Sequence, residues 1–292
     1  MDEDFATLAE PFRRELMAHC YRMLGSVHEA EDLVQETYLR AWRGFEQFEG
    51  RASMRTWLFR IATNACLNAL QHSSRRSLPS GLPGSEWIEP VPDALVDPAA
   101  IVASRAGLRL AVIAALQHLP VRQRATLVLR EVVGWPSAEV AELLGTSVAA
   151  VNSMRQRAAA QLDKLDLDEF SEPAEPKKRE LLDRWAAAIE DADIAALTDL
   201  LTEDAVWEMP PHAAFYAGRD HVLGLLREKL VPTSGVRRLV DVEANGQPAF
   251  AHYIRGRAHS IQVLTLDGLA VRKVTSFHYP ALFDVFALPS AI

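Results

Sequence analysis

The chain has 292 residues, too many for one small binding module and enough for two or three compact units, and its 49% apolar content allows sizeable cores. Its charged fraction of 24% is ordinary, and the net charge of -8 excludes a uniformly basic nucleic-acid binder. The charge is laid out in blocks, however: Arg51 to Arg76 holds five arginines and no acid, and Asp166 to Glu175 holds five acids and no base.

The N-terminal MDEDFATLAEPF is acidic and carries no apolar run of signal-peptide length. No stretch is long and apolar enough to span a bilayer, so the expected setting is the cytoplasm, with no membrane partner. Residues 5–76 read as all-helical: Leu16, Cys20, Met23 and Leu24 recur at helical spacing, as do Leu33, Tyr38, Leu39 and Trp42. Ser26 before HEAEDLVQE places an N-cap and acids at a helix start. A third helix begins near Ser53, with Trp57, Ile61, Asn64 and Asn68 along neighbouring faces. Cys20 and Cys66 fall in apolar helical pattern without CxxC or Cys/His spacing, so they read as reduced core residues and no metal is expected.

Residues 77–98 are rich in Pro, Gly and Ser and read as an extended, flexible linker. Helices resume over 99–165. Leu119-Pro120 and Gly134-Trp135-Pro136 break them, Gly145 closes AEVAELLG, and Thr146-Ser147 caps VAAVNSMRQRAAAQL, which makes a helix-turn-helix. Val151, Ala158 and Leu162 supply the inward face of its second helix, while Asn152, Ser153, Gln156 and Arg157 point elsewhere, where such types can reach base edges. Arg122, Arg124 and Arg130 are candidate phosphate grips. Residues 166–176 form an acidic second linker. In 177–292 two helices precede alternating strand segments punctuated by Asn245-Gly246 and Asp267-Gly268, an α+β unit with a curved antiparallel sheet.

The stretch FEGRASMRTWLFRIATNACLNALQHSSRR joins a short loop to a basic helix with a tryptophan and asparagines. Single-stranded DNA requires that combination: basic groups for phosphates and pockets for flipped bases. An ordinary three-helix bundle with a basic surface has the same composition.

Across residues 5–165 the sequence resembles an extracytoplasmic-function (ECF) sigma factor. DLVQETYLRAWRGF is similar to the family's region 2.2, which docks on a coiled coil of the largest polymerase subunit, and Asp32, Gln35, Glu36 and Trp42 match its motif. FEGRASMRTWLFRIATNACLN resembles regions 2.3 and 2.4, which melt and read the -10 element; Phe48, Gly50, Ser53, Arg55, Thr56, Trp57, Arg60 and Asn64 match. The helix-turn-helix resembles region 4, which reads the -35 element; Arg130, Asn152, Ser153, Gln156 and Arg157 are its candidate DNA-binding residues. Two positions depart from the pattern: Arg155 stands where an apolar residue is usual, and Met54 replaces an aromatic.

Residues 177–292 resemble the cone-shaped SnoaL-like α+β fold, with Trp185, Asp204, Trp207, Met209, His212, Phe215, Tyr216 and His278 as candidate pocket-lining residues. The resemblance thus implies a multidomain chain. Residues 1–76 form a three-to-four-helix sigma region 2, 77–98 a linker, 99–165 sigma region 4, 166–176 an acidic linker, and 177–292 a SnoaL-like regulatory domain. Its implied partners are bacterial core RNA polymerase and promoter DNA, with an intramolecular contact between C-terminal and sigma domains, and an anti-sigma factor as a further candidate. No cofactor and no catalytic residue are expected in a factor whose chemistry belongs to the polymerase. Two other readings compete: a small-molecule enzyme using an Asp204/His212 pair for acid-base work, and a helix-turn-helix repressor. The repressor reading leaves the basic helix around Trp57 without a role.

Overall fold

The computed structural model describes residues 2–48, 50, 52–73, 88–96, 108–164, 173–210, 212 and 214–292. The chain divides into two compact units, Met1–Leu167 and Asp168–Ile292.

In the first unit, α1 (Asp2–Ala9) leads through a short 3-10 turn into α2 (Arg13–Leu24), α3 (Val27–Gly44) and α4 (Met54–Ser73). Leu16, Cys20 and Met23 of α2 meet Leu58, Phe59, Ala62 and Cys66 of α4 in the core, at the spacing that puts one face of each helix inward. Both cysteines are buried free thiols, and the Cys20 hydrogen bond, with burial, pushes the Cys66 thiol well above its usual range. Gly25 ends α2 in the left-handed region at φ 76°, a cap that only glycine adopts without strain. Ser26 then caps α3, its Oγ accepting from the Glu29 amide at 3.2 Å.

Residues 88–96, which the sequence marks as flexible linker, are docked on this α2–α3 corner. The Glu89 amide donates to Gly25 O at 2.9 Å, and Tyr21 Oη donates to Glu89 O at 2.7 Å. The buried Glu89 carboxylate accepts from Ser26 Oγ at 2.7 Å and from the His28 amide at 3.2 Å, an anion seated on the first turn of an 18-residue helix. Val91 and Val96 are fully buried. The segment forms no α-helix, only a 3-10 turn at Asp93–Leu95, and its backbone and one acid find partners on the neighbouring corner. Residues 77–87 and 97–98 lie outside the described residues.

The second block comprises α5 (Leu110–Gln117), α6 (Val121–Leu127), a π-helical turn at Val128–Val132, α7 (Ser137–Leu143) and α8 (Val148–Leu162). The breaks fall where proline and glycine foretell them: Pro120 precedes α6, Gly134 has φ 80°, and Gly145 has φ 57° between α7 and α8. Ser147 caps α8 through the Ala150 amide at 3.2 Å. Val151, Met154 and Ala158 form the buried stripe of α8. Met154 therefore takes the inward place between Val151 and Ala158 where the family pattern has its apolar residue, Leu162 is only half-buried, and Arg155 turns out to pair with Glu131 at 3.1 Å. This settles the Arg155 departure: its neighbour supplies the apolar contact.

The second unit opens with α9 (Glu175–Glu190) and α10 (Ile194–Leu200), followed by β1 (Leu201–Glu208), β2 (Phe215–Ala217) and α11 (Arg219–Leu230). Then come β3 (Arg237–Ala244), β4 (Gln247–Ile254), β5 (Arg257–Asp267), β6 (Ala270–Phe277) and α12 (Leu282–Val285). The six strands form one sheet in the order β2-β1-β6-β5-β4-β3. Asn245-Gly246, both at positive φ, make the two-residue β3–β4 turn, and Gly268 opens the β5–β6 turn. The expectation of a purely antiparallel sheet fails at one place: β1 and β6 pair parallel. They are distant in sequence, so no hairpin forces them antiparallel. Trp185 of α9, fully buried, stacks on Trp207 of β1 at 6.4 Å and centres a core with Leu226, Leu239, Phe250, Leu264 and Val274.

Candidate functional site

Three surfaces of the first unit collect the predicted residues. On α3, Asp32, Gln35, Glu36, Leu39 and Trp42 recur at the spacing of one helical face, opposite buried Ala30, Val34, Thr37 and Ala41. Leu39 and Trp42 are each 50% exposed, so an apolar tip stands beside acids on the outside of the bundle. Leu39 was read as a helix-pattern residue and belongs equally to this face.

The second surface is a cleft of about 630 Å³ lined by Arg40, Gly44, Gln47, Phe48, Ala52, Trp57, Arg60, Ile61 and Asn64. The Phe48 and Trp57 rings stack at 4.8 Å with 28° between planes, and Phe45 continues the column at 6.4 Å from Phe48. Trp57, Arg60, Ile61 and Asn64 lie on the outer face of α4 because Leu58, Phe59, Ala62 and Ala65 take the inner one. The result is an aromatic wall, two guanidinium groups and amide side chains around one opening. Arg40 and Gln47 were missed by sequence reasoning, since they come from α3 and the turn after it.

The other predicted residues of this stretch lie outside the cleft. Ser53 caps α4, its Oγ accepting from the Thr56 amide at 3.1 Å and donating to Thr56 Oγ1 at 3.0 Å. Gly50 adopts φ 68° in the approach to the helix. Arg55 turns away: its Nε donates to Glu15 Oε2 at 2.6 Å and its guanidinium lies 4.8 Å above the Phe59 ring. Arg55 is two residues before Trp57, about 200° around the helix, which puts it against α2.

The third surface is α8. Asn152, Ser153, Gln156 and Arg157 are all exposed, on the side away from Val151, Met154 and Ala158. Asn152 Oδ1 accepts from Ser137 Oγ at 2.9 Å, tying the two helices of the motif. Arg130 donates to Trp135 O and Arg122 to Leu144 O, so both hold turns of the motif. Arg124 is corrected outright as a phosphate grip: it is buried, and it donates to Met23 O and to both Oε1 and O of Gln117.

The candidate pocket of the second unit separates into pieces. Trp185 and Trp207 belong to the apolar core, with half-buried Met209 and Tyr216 packed against it, and Phe215 is exposed on β2. Asp204 alternates to the outer face of β1 and pairs with Arg272 at 3.2 Å; the Thr202 hydrogen bond leads the causes that lower its carboxyl. An Asp204/His212 acid-base pair is therefore not assembled. His212 instead heads a row of imidazoles, 6.4 Å from His278, which lies 4.9 Å from His259, itself 5.3 Å from His252. His252 Nε2 accepts from Arg237 at 2.9 Å, so its proton sits on Nδ1, facing Ser260 Oγ at 3.4 Å. Burial lowers His252, His259 and His278, the last to about 4, and the neighbouring cations Arg237 and the other histidines add to it. His252, His259 and Arg237 escaped the sequence reading because strand alternation does not say which face is covered.

Family models for Sigma-70 region 2, Sigma-70 region 4 and a SnoaL-like domain match residues 8–76, 109–162 and 182–285 respectively. The chain is 48% identical to "ECF RNA polymerase sigma factor SigG" of Mycobacterium tuberculosis, over 99% of this chain and 85% of that one. It is 30% identical to "ECF RNA polymerase sigma factor SigW" of Bacillus subtilis, over 56% of this chain and 89% of that one. Among solved structures it resembles the M. tuberculosis extracytoplasmic function sigma factor SigJ, with a TM-score of 0.69, 27% identity, and coverage of 99% of this chain and 100% of that one. Among the described residues no helix is long and apolar enough to cross a membrane, and no group of acids, histidines and cysteines suits a metal ion.

Proposed function

This chain belongs to the ECF RNA polymerase sigma factors, and from that premise we propose how its surfaces direct promoter-specific initiation by bacterial core RNA polymerase. The outer face of α3, with Asp32, Gln35, Glu36, Leu39 and Trp42, docks on the polymerase: its acids steer the encounter and the exposed Leu39 and Trp42 are the desolvated anchor. The cleft on α4 takes an unstacked base of the -10 element. Phe48 and Trp57 stack on it, Asn64 and Gln47 meet its edge, and Arg40 and Arg60 hold the flanking phosphates. The exposed side of α8 enters the major groove of the -35 element, where Gln156 and Arg157 reach base edges. None of these steps is covalent, and the factor acts where the polymerase does, in the cytoplasm.

The single observation that carries this reading is the convergence of Phe48, Trp57, Arg60 and Asn64 on one opening. Trp57→Ala tests it. A stacked base is worth about 1–3 kcal/mol, so binding of holoenzyme to a single-stranded -10 oligonucleotide should fall about 5- to 150-fold while its affinity for duplex -35 DNA holds. Unchanged single-strand binding would remove the cleft from the account. For the SnoaL-like domain the supported role is regulation of the sigma blocks, since its Trp185–Trp207 centre is packed core and its acid is turned outward. Run-off transcription with the full chain and with residues 1–176 gives the sign: more transcript from the shorter form makes the domain a restraint, and less makes it an activator.

A further inference from the structure

The polar row on the covered face of the C-terminal sheet contains one permanent charge, and that charge has no counter-ion. Arg237 of β3 is half-buried, and burial lowers its guanidinium. Its Nε donates to Thr233 Oγ1 at 2.8 Å, Nη1 to His252 Nε2 at 2.9 Å and Nη2 to Lys229 O at 2.7 Å. All three acceptors are neutral. A guanidinium has five N–H groups, so two remain. Acids of the surrounding elements are engaged with other groups: Glu190 of α9 with the Leu239 amide and Arg238, Glu228 of α11 with Lys229, and Glu208 of β1 with Lys273 and Thr275. A charge withdrawn from water is ordinarily paired, and among the described residues no acid pairs with this one.

Uncharged donors and acceptors gather around it. The row runs inward from solvent: His212 is exposed, His259 and His278 are half-buried, and His252 is 2% exposed. Burial holds the last three rings neutral. Ser260 faces His252 across β4 and β5, and Gln262 faces Ser276 across β5 and β6, all four of them buried. One end of the Gln262 amide meets His252 Nδ1 at 3.3 Å, and its other end is buried without a partner. The rings of His212 and His259 make ring contacts but no hydrogen bond among the described residues. Beside these groups lies an apolar floor, since Leu239 and Phe250 are the cross-strand partners of His252 and Gln262. Interiors seldom leave so many polar groups unmatched around one cation, so the missing partner is a ligand that is both anionic and partly apolar.

We propose that the C-terminal unit binds a small organic monocarboxylate in this row, with its carboxylate on Arg237 and the His259 ring and its apolar part towards Phe250 and Leu239. One negative charge answers one guanidinium, whereas a phosphate dianion would leave a second charge buried and unpaired. The site stands independently of the regulatory role given to this unit, because binding and transcription are read by different experiments.

Nuclear magnetic resonance of the full chain with isotope-labelled histidine, titrated with benzoate, tests it. The His252, His259 and His278 signals should shift together and saturate, half-way at or below about 1 mM, the range of a fragment-sized ligand. Those of His28 and His221, which are bonded to Glu89 and to Ala217 O, should hold still. Benzyl alcohol, the same ring without the charge, should bind at least about tenfold more weakly, and so should benzoate to Arg237→Gln. No saturable shift in the wild-type chain overturns the site, and that arm needs no variant. Equal binding of benzoate and benzyl alcohol, or tighter binding of inorganic phosphate than of benzoate, overturns the carboxylate assignment. Should Arg237→Gln not fold, His259→Phe takes its place, with an expected loss of about three- to tenfold. Unchanged benzoate binding in whichever variant folds overturns the part given to that residue.

Discussion

In the helical unit the side chains assigned to function stand on the outside, at Asp32 and Trp42 on α3, Trp57 and Asn64 on α4, and Gln156 and Arg157 on α8, backed by buried aliphatic stripes. The C-terminal unit places its polar chemistry on the covered face of a sheet, where His252, Ser260 and Gln262 are all less than a tenth exposed. Outward residues on a capped helix are displayed by the fold without supporting its stability. Inward polar residues must be matched by neighbours, here Arg237 against His252, and are part of what holds the domain together. The first unit displays its candidate residues to solvent, and the second buries its polar row in a packed body.

The largest expected effect tests that division directly. Trp185→Ala removes the centre of the C-terminal core and should destabilise that unit by about 3–5 kcal/mol, the usual cost of emptying a buried tryptophan site. Denaturant unfolding of the full chain, followed by far-UV circular dichroism, should then show an early transition for the sheet unit with the helical one persisting. Simultaneous loss of both units would break the comparison. Next in size, Arg157→Ala should weaken holoenzyme binding to duplex -35 DNA by about 1–3 kcal/mol while leaving the unfolding curve within about 0.5 kcal/mol of wild type. A large stability loss there would mean that α8 is not displaying its outer face freely.

The smallest effect concerns pH. Burial lowers His252, His259 and His278 below their ordinary value of about 6.5 in the folded state, so the unfolded chain takes up protons first as pH falls. The stability these neutral histidines retain is complete above about 6.5 and is lost as pH drops from there towards about 4, the value of His278. The melting temperature of the C-terminal unit should fall by several degrees between about pH 7.5 and about pH 5.5, and His259→Gln should flatten that slope. Among the described residues of the helical unit one such group is found, His19, lowered to about 3 mainly by burial, so that unit should respond less. An equal response of both units would contradict the contrast.

Much of the helical unit was legible because caps and spacing act locally. Ser26, Gly145 and Ser147 mark their turns by chemistry that involves residues three or four positions away, and Trp57, Ile61 and Asn64 share a face by periodicity alone. What escaped was non-local. Arg124 looks like any arginine ahead of a helix-turn-helix, and only the fold shows that it closes on Met23 O, 101 positions earlier. The docking of Glu89 escaped for the same reason, since its partners Ser26 and His28 lie across a stretch that proline marks as loop. In the sheet, alternation located β3 to β6, but it cannot tell that β1 runs parallel to β6 or that the face His252 shares with Phe250 is a covered one. Arg155 shows the same limit on a small scale: one helical step decided whether it or Met154 packs inward.

Whether this chain gives bacterial core RNA polymerase its promoter choice through the α4 cleft is read out by run-off transcription with purified core polymerase and a promoter-fragment library. The full chain should yield discrete transcripts that the polymerase alone does not make, and Trp57→Ala should lose most of them. Discrete transcripts made equally well by Trp57→Ala would contradict the cleft, and none from the full chain on any fragment would contradict the sigma-factor account itself.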